Sequence, residues 1–220
     1  EDLQEVMLSS GVWPNIIQRP YGVVANPADT PRDIFISGFD THPLAPDYNF
    51  ILKGKERNFQ AGIEVLKKFT AGTIHVNVDG SGEVNPVYNS SDRVQQNKII
   101  GQHPAGNVGI QIHHTAPINT GDVVWTLRVE DVIIIGRLFM TGAYDTRTRI
   151  ALTGAEVNNG YVDTFLGASV EELIGPNLKN DHVRVISGDV LSGNPIPVDG
   201  YLNQKTNQIT VLAEGDRHEL

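Results

Sequence analysis

Three histidines fall within one irregular stretch of the chain, where they could contribute to a binding site. His103, His113 and His114 lie in the segment G-Q-H-P-A-G-N-V-G-I-Q-I-H-H, residues 101–114. A zinc site commonly needs about three or four converging ligands. If His113 and His114 lie on a strand, their side chains point to opposite faces and cannot easily reach one ion. We therefore expect no metal site. The segment then either donates hydrogen bonds to a ligand or forms a plain turn at His103.

A second polar group directly follows a predicted buried strand. Ile34–Ser37 is mostly apolar, and Asp40, Thr41 and His42 come soon after it. In sheets of parallel strands, ligands bind at the carboxyl ends of the strands. Asp40 and His42 are therefore candidate binding residues. Short polar side chains at this place would also suit a helix cap before Asp47.

The elements that would position these residues follow the order strand, helix, strand. Apolar residues recur at helical spacing over residues 56–69 and alternate over residues 74–78. Together with the strand at 34–37 they predict a βαβ unit with parallel pairing and a right-handed crossover. Residues 18–32 lack periodicity and predict a connector. Residues 123–127 predict another strand, while residues 129–140 suit either a strand or a helix.

The last third of the chain predicts a different plan. Residues 150–152 and 161–166 read as paired strands, and Asn158-Asn159-Gly160 is a hairpin turn signal with residues suited to positive φ. Ser169 caps a short helix, with Glu172 three residues on to complete a capping box, and Gly175-Pro176 ends it. Strands at 183–185 and 209–211 follow. A hairpin, a short helix and a returning strand make the β-grasp plan.

The composition of the chain argues against several classes of function. The chain has 220 residues, no cysteine and a formal net charge of −9. A nucleic-acid partner is disfavoured because its phosphates would be repelled. Without cysteine there is no cysteinyl iron–sulfur cluster and no thiol nucleophile. Ser187 lacks a G-x-S-x-G elbow, and Glu171 and Glu172 suit the helix cap and surface, so we predict no catalytic residue.

Longer motifs carry a specific resemblance. In chain order they are S-G-V-W-P-N-I-I-Q-R-P-Y, I-F-I-S-G-F-D-T-H-P-L-A-P-D, F-Q-A-G-I-E-V-L, G-Q-H-P-A-G-N-V-G-I-Q-I-H and V-I-S-G-D-V-L-S-G. They resemble the family of the A-type subunit of the sodium-translocating NADH:quinone reductase across nearly the whole chain. The last third, with G-A-S-V-E-E-L-I-G, also resembles the soluble ligand-binding β-grasp (SLBB) domain.

The resemblance implies α/β plus α+β architecture. We expect a Rossmann-like domain over residues 1–116, related to the NADH-binding subunit of complex I, and a connecting strand and helix over residues 117–146. A β-grasp SLBB domain and a following strand would occupy residues 147–220. Because the chain opens on Glu1 and the family chain extends at both ends, we expect an internal segment of a longer protein.

The flavin-binding relatives differ where their chemistry lies. They carry a glycine-rich R-G-G-A-G-F loop whose amides hold the FMN phosphate, and this chain has Arg19-Pro20-Tyr21-Gly22-Val23 there. Proline has no amide donor, and one glycine cannot build the same anion nest. We therefore expect neither FMN nor an iron–sulfur centre, so electron transfer through this segment would need a bound quinone.

The resemblance finally implies a role. The family works in a complex that oxidises NADH, reduces ubiquinone and exports sodium ions. Its members are cytoplasmic, peripheral components of that complex on the bacterial inner membrane, with membrane subunits among their partners. We expect this chain to help bind or position quinone through His103, Gly106, His113, Asp40 and His42. The alternative is an assembly scaffold with a vestigial flavoprotein fold and no ligand of its own.

Overall fold

The computed structural model describes residues 2–89 and 91–215. The chain forms two compact units that interleave in sequence. The first contains the chain up to Thr41 together with Asp47–Asp145, and the second contains His42–Pro46 together with the chain from Thr146 onward. Within the described ranges, no helix has both the length and the apolar character needed to cross a membrane.

The first unit is built on a mixed sheet. Its strands in the described residues are β1 (Ile17–Arg19), β2 (Val23–Val24), β3 (Ile34–Ser37), β4 (Ile74–Asp79), β5 (Val94–Ile99) and β6 (Val124–Arg128). Their order across the sheet is β2-β1-β6-β3-β4-β5. The four strands from β6 to β5 run parallel, whereas β1 pairs antiparallel with β2 and with β6. The predicted parallel βαβ unit is confirmed by the β3–β4 pairing.

Helices cover this sheet. They are α1 (Leu3–Ser9), α2 (Tyr48–Leu52), α3 (Glu56–Leu66), α4 (Val108–Thr115) and α5 (Val129–Thr141). Helices α3 and α5 touch through glycines, since a Cβ at Gly62 would overlap the Val132 carbonyl and one at Gly136 would overlap the Asn58 carbonyl. Helix α4 packs through Ile112 on Phe35 of β3.

The structure departs from the sequence-based expectation, or decides between its alternatives, at four places in this unit. The expected connector at 18–32 contains most of β1 and all of β2, and residues 94–99 form a strand that was not predicted. The ambiguous stretch at 129–140 is a helix, whose start is fixed by the Asp131 carboxylate accepting from the Arg128 backbone N–H at 2.9 Å. Strand β6 lies between β1 and β3, so the segment 117–146, expected to connect two domains, contributes an inner strand to this sheet.

The second unit carries a separate sheet. Within the described residues its strands are β7 (Arg147–Thr153), β8 (Gly160–Phe165), β9 (Val183–Ser187), β10 (Asn194–Pro195) and β11 (Gln208–Ala213), in the order β10-β9-β11-β7-β8. Strands β7 and β11 are parallel, and the other pairs are antiparallel. Helix α6 (Val170–Ile174) is capped by Ser169, whose hydroxyl accepts from the Glu172 N–H as predicted.

The hairpin between β7 and β8 exists, but its turn differs from the prediction. Gly160 already belongs to β8, where it pairs with Leu152, and neither Asn158 nor Asn159 has a positive φ. The chain reverses instead after Gly154, whose φ is +115°. A side chain there would overlap the carbonyl oxygen of Val211 on β11, so this close approach needs glycine.

Candidate functional site

Two loops of the first unit meet at a threonine. Thr41 follows β3, and its hydroxyl oxygen accepts the N–H of Gly106 at 2.9 Å and lies 3.3 Å from Nδ1 of His103. A Cβ at Gly106 would overlap the Thr41 backbone, so glycine is what lets the loops touch. The structure therefore brings His103 and Gly106 together and joins them through Thr41, which was not among the predicted binding residues.

A chain of side-chain amides, which runs from the surface into the interior, supports this junction. The side-chain N–H groups donate in one direction, from Gln95 to Asn97 at 2.9 Å, from Asn97 to Asn77 at 2.9 Å and from Asn77 to Gln111 at 3.1 Å. Gln111 then donates to the carbonyl of Gly106 at 2.9 Å. Asn77 and Gln111 are buried, so these bonds satisfy groups that water cannot reach. The amide chain thus ties β5, β4 and α4 to the loop at residues 103–106.

A buried histidine lies beside the amide chain. The His75 ring stacks on Phe35 with centroids 4.6 Å apart, and its Nδ1 is 3.3 Å from Nδ2 of Asn97. Burial lowers the pKa of His75, because the charged ring would lose its hydration. His75 is therefore held neutral as part of the packing. The sequence alone did not select it, since it lies within an apolar strand pattern.

A cleft of about 710 Å³ opens next to this support. It is lined by Gln95, Asn97, Lys98, Ile99, Ile100, Gln102, Pro104, Ala105, Ile110, Gln111, His114 and Thr115. Isoleucines offer apolar surface, and the amides offer hydrogen-bond donors and acceptors. This combination of apolar walls and a few convergent polar groups is the usual make-up of a small-molecule site.

The residues singled out from the sequence do not all lie at this cleft. His113 and His114 lie on α4 and not on a strand, so the argument from alternating strand faces was wrong; their rings are edge to face, 5.2 Å apart. His114 lines the cleft and His113 does not. Asp40 belongs to the first unit, whereas His42 belongs to the second, where its Nε2 is 3.9 Å from Oδ2 of Asp189.

The geometry can be compared with the requirements of a metal site and of an FMN phosphate site. Within residues 2–89 and 91–215, no group of three or more His, Cys, Asp or Glu side chains is arranged to hold a metal ion. At the place of the flavin-phosphate loop, residues 20–22 form the turn between β1 and β2, where the Gly22 N–H donates to the Gln18 carbonyl at 2.9 Å. Pro20 has no N–H, so this turn does not fit an FMN phosphate.

Fold and site together define a class of protein: a Rossmann-like α/β unit with an amide-supported cleft, followed by a β-grasp unit. The family comparison agrees with this class. The model of the NqrA second alpha/beta domain matches residues 1–144, and that of the NQRA C-terminal domain, of SLBB type, matches residues 149–196. The chain belongs to the NqrA family, which confirms the resemblance and the fold class expected from the motifs.

The chain is similar throughout to curated proteins named as the A-type subunit of the Na(+)-translocating NADH-quinone reductase. It is 38% identical to the one from Yersinia pestis bv. Antiqua over 222 residues, covering 100% of the chain and 49% of the relative. It is 37% identical to that of Alcanivorax borkumensis over 221 residues, with coverage of 99% and 49%. The chain thus spans about half the length of these relatives.

Solved structures share the fold. An NAD+-reducing [NiFe]-hydrogenase in the H2-reduced state aligns with a TM-score of 0.63 at 11% identity, over 96% of this chain and 47% of that chain. The air-oxidised state of such an enzyme gives a TM-score of 0.59 at 12% identity, over 96% of this chain and 46% of that chain. At these identities the likeness concerns the fold alone.

Proposed function

We propose that this chain is part of the NqrA component of a sodium-pumping NADH:quinone reductase. The support is the family match and the names of relatives that align with the whole chain. In this proposal the complex oxidises NADH, reduces ubiquinone and exports sodium ions. The chain belongs to a peripheral component on the cytoplasmic face of the bacterial inner membrane, next to the other subunits, including the membrane-embedded ones.

Within that complex we propose that the chain binds or positions quinone in the cleft beside residues 101–115. The observation that carries this proposal is the lining of the cleft, where isoleucines supply apolar surface next to the Gln95 amide and the His114 ring; the isoleucines are Ile99, Ile100 and Ile110. A quinone ring is flat and apolar on its faces and carries carbonyl acceptors at its edge. Amide and imidazole N–H groups suit those carbonyls, and the cleft volume of about 710 Å³ is within the range of small-molecule sites.

The predicted residues divide between contact and support in this proposal. None of His103, Gly106, His113, Asp40 and His42 is among the lining residues of the cleft. Residues 104 and 105, which adjoin His103 and Gly106, do line it. We therefore assign His103 and Gly106 to holding the cleft wall through Thr41, and His114 to ligand contact.

An assembly scaffold without a ligand is the second candidate function. The observation that favours it is the exposed apolar surface at the β1–β2 turn. Tyr21 is 85% exposed and Val23 is 53% exposed, on the edge strand and turn of the first sheet. Exposed apolar groups of this kind can serve as a docking surface for another protein.

A titration with a short-chain ubiquinone tests the first candidate. Amide NMR shifts should saturate and should centre on residues 95–115. His114→Ala should weaken binding severalfold. His113→Ala is the matched control, because this exposed neighbour on the same helix lies outside the lining and should leave binding unchanged. No saturable shifts, or equal effects of the two variants, would refute the cleft as a quinone site and leave the scaffold as the better explanation.

A further inference from the structure

The charge of the cleft is opposite to that of the chain. The chain carries a formal net charge of −9, yet no aspartate or glutamate is among the lining residues. Lys98 supplies a positive charge there, and His114 can supply a second when protonated. A small anion approaching the cleft therefore meets attraction locally, although the protein as a whole would repel it.

Lys98 differs from Lys67 in its exposure and in its charged neighbours. Lys67 is buried and its ammonium is held by the carboxylates of Glu64 and Asp92. Lys98 is exposed, and among the described residues no carboxylate lies within ion-pair distance of it. Its charge is thus not neutralised by a neighbour in that part of the chain, which leaves it available to a ligand.

The groups around Lys98 restrict the kind of anion. Ile99, Ile100 and Ile110 offer apolar contact, which a flat ring can use and a small inorganic ion cannot. The side-chain N–H groups of Asn97 already face Asn77 and His75, whereas Gln95 uses one N–H on Asn97 and can donate its second to a ligand at the same wall. A planar ring with carbonyl groups and one ionised oxygen would use all three features.

We propose that the cleft prefers the anionic form of a planar, oxygen-substituted ring, and that Lys98 determines this preference. The inference rests on the proposed quinone site and adds a charge preference to it. A ring carbonyl receives a hydrogen bond from the Gln95 amide, the isoleucines contact the ring, and the ammonium of Lys98 faces the ionised oxygen. Lys98 is in this sense a specificity-determining residue.

Two matched probes test the charge preference. Hydroxynaphthoquinone (lawsone) is an anion at neutral pH, and its methyl ether is neutral with nearly the same shape. The wild-type chain should bind lawsone roughly three- to fivefold tighter than the ether at low salt, as expected for one exposed ion pair. The preference should shrink as salt is added, because exposed charges are screened.

Two lysine variants complete the test. Lys98→Met keeps most of the side-chain length and removes the charge, so the preference for lawsone should vanish while the ether binds as before. Lys53→Met removes another exposed lysine that does not line the cleft, and it should preserve the preference. Unchanged tryptophan fluorescence of each variant verifies that the first unit is folded.

The outcomes separate the two proposals. Equal binding of the two probes to the wild-type chain, or a preference that survives in Lys98→Met, overturns the role of Lys98 and leaves the quinone site standing. Failure of both probes to give saturable shifts at residues 95–115 overturns the quinone site and this inference together.

Discussion

Replacing Gln111 by leucine should destabilise the first unit strongly, because it breaks the amide chain at one of its two buried members. Gln111 is 1% exposed, and leucine has nearly the same volume, so little cavity is created. The two buried hydrogen bonds of Gln111 are lost, from Asn77 Nδ2 to its Oε1 at 3.1 Å and from its Nε2 to the Gly106 carbonyl at 2.9 Å, along with two longer contacts from Nε2 to the Ser37 hydroxyl and the Ala105 carbonyl. Each buried group left unsatisfied costs about 1–3 kcal/mol, so the expected loss is roughly 2–6 kcal/mol.

Urea unfolding followed by tryptophan fluorescence measures this loss in the relevant unit. The chain has two tryptophans, Trp13 and Trp125, and both are buried in the first unit with ring centroids 5.5 Å apart. Their emission therefore reports unfolding of that unit even if the second unit unfolds separately. Gln102→Leu is the control, since this exposed glutamine should change the free energy of unfolding by less than about 0.5 kcal/mol.

A double variant tests whether the cost comes from broken pairing. In Asn77→Leu with Gln111→Leu both partners become apolar, and replacing both ends of a buried hydrogen bond is much less costly than removing one. The loss in the double variant should therefore be about 1–2 kcal/mol smaller than the sum of the single losses. A Gln111→Leu loss below about 0.5 kcal/mol, or strict additivity, would refute the amide chain as a cooperative support.

Two further predictions concern the second unit and the dependence on pH. Gly154→Ala should lower the free energy of unfolding, measured by calorimetry, by at least about 2 kcal/mol, because its φ is +115° and a methyl group would overlap the Val211 carbonyl. Gly160→Ala is the control and should cost little, because the space around Gly160 is open. Equal effects of the two variants would contradict the special role of Gly154 in the turn. The stability of the first unit should fall as pH drops below 6.5, the ordinary pKa of histidine. Burial lowers the pKa of His75 in the folded state, so the unfolded chain binds the proton first and is favoured as the pH falls. His75→Phe should flatten this dependence, and an unchanged slope would exclude His75 as its source.

The elements that follow a regular apolar pattern were predictable from the sequence. Alternation or short apolar runs located β3, β4, β6 and β11, and the Ser169 cap located α6. Strand β5 was not predictable in this way, because V-Q-Q-N-K-I has polar residues where a buried strand would have apolar ones. In the structure two of those polar residues, Gln95 and Asn97, form hydrogen bonds to neighbouring amides, which takes the place of apolar packing.

The candidate site was predictable only in outline. Glycines, a proline and histidines marked residues 101–114 as a special segment, but its second half is helix α4. The N-cap position of Asn107 was an available helix-start signal. The support from Asn77 could not be read from the sequence, because Asn77 lies 34 positions before Gln111 and meets it only once β3, β4 and α4 have packed. Such a contact depends on how helix α4 packs on the sheet, which local sequence patterns do not specify.

The short segment His42–Pro46 has a consequence for the order in which the chain is synthesised. It counts among the residues of the second unit, and the Pro43 carbonyl accepts from Nε2 of Gln208, 165 positions later, at 3.1 Å. On the ribosome this carbonyl is made 165 residues before its donor and stays without it until Gln208 has emerged. The same pairing limits the making of chimaeras between relatives. A crossover at residue 145 would combine the β-grasp sheet of one protein with the 42–46 segment of another, although both belong to one compact unit.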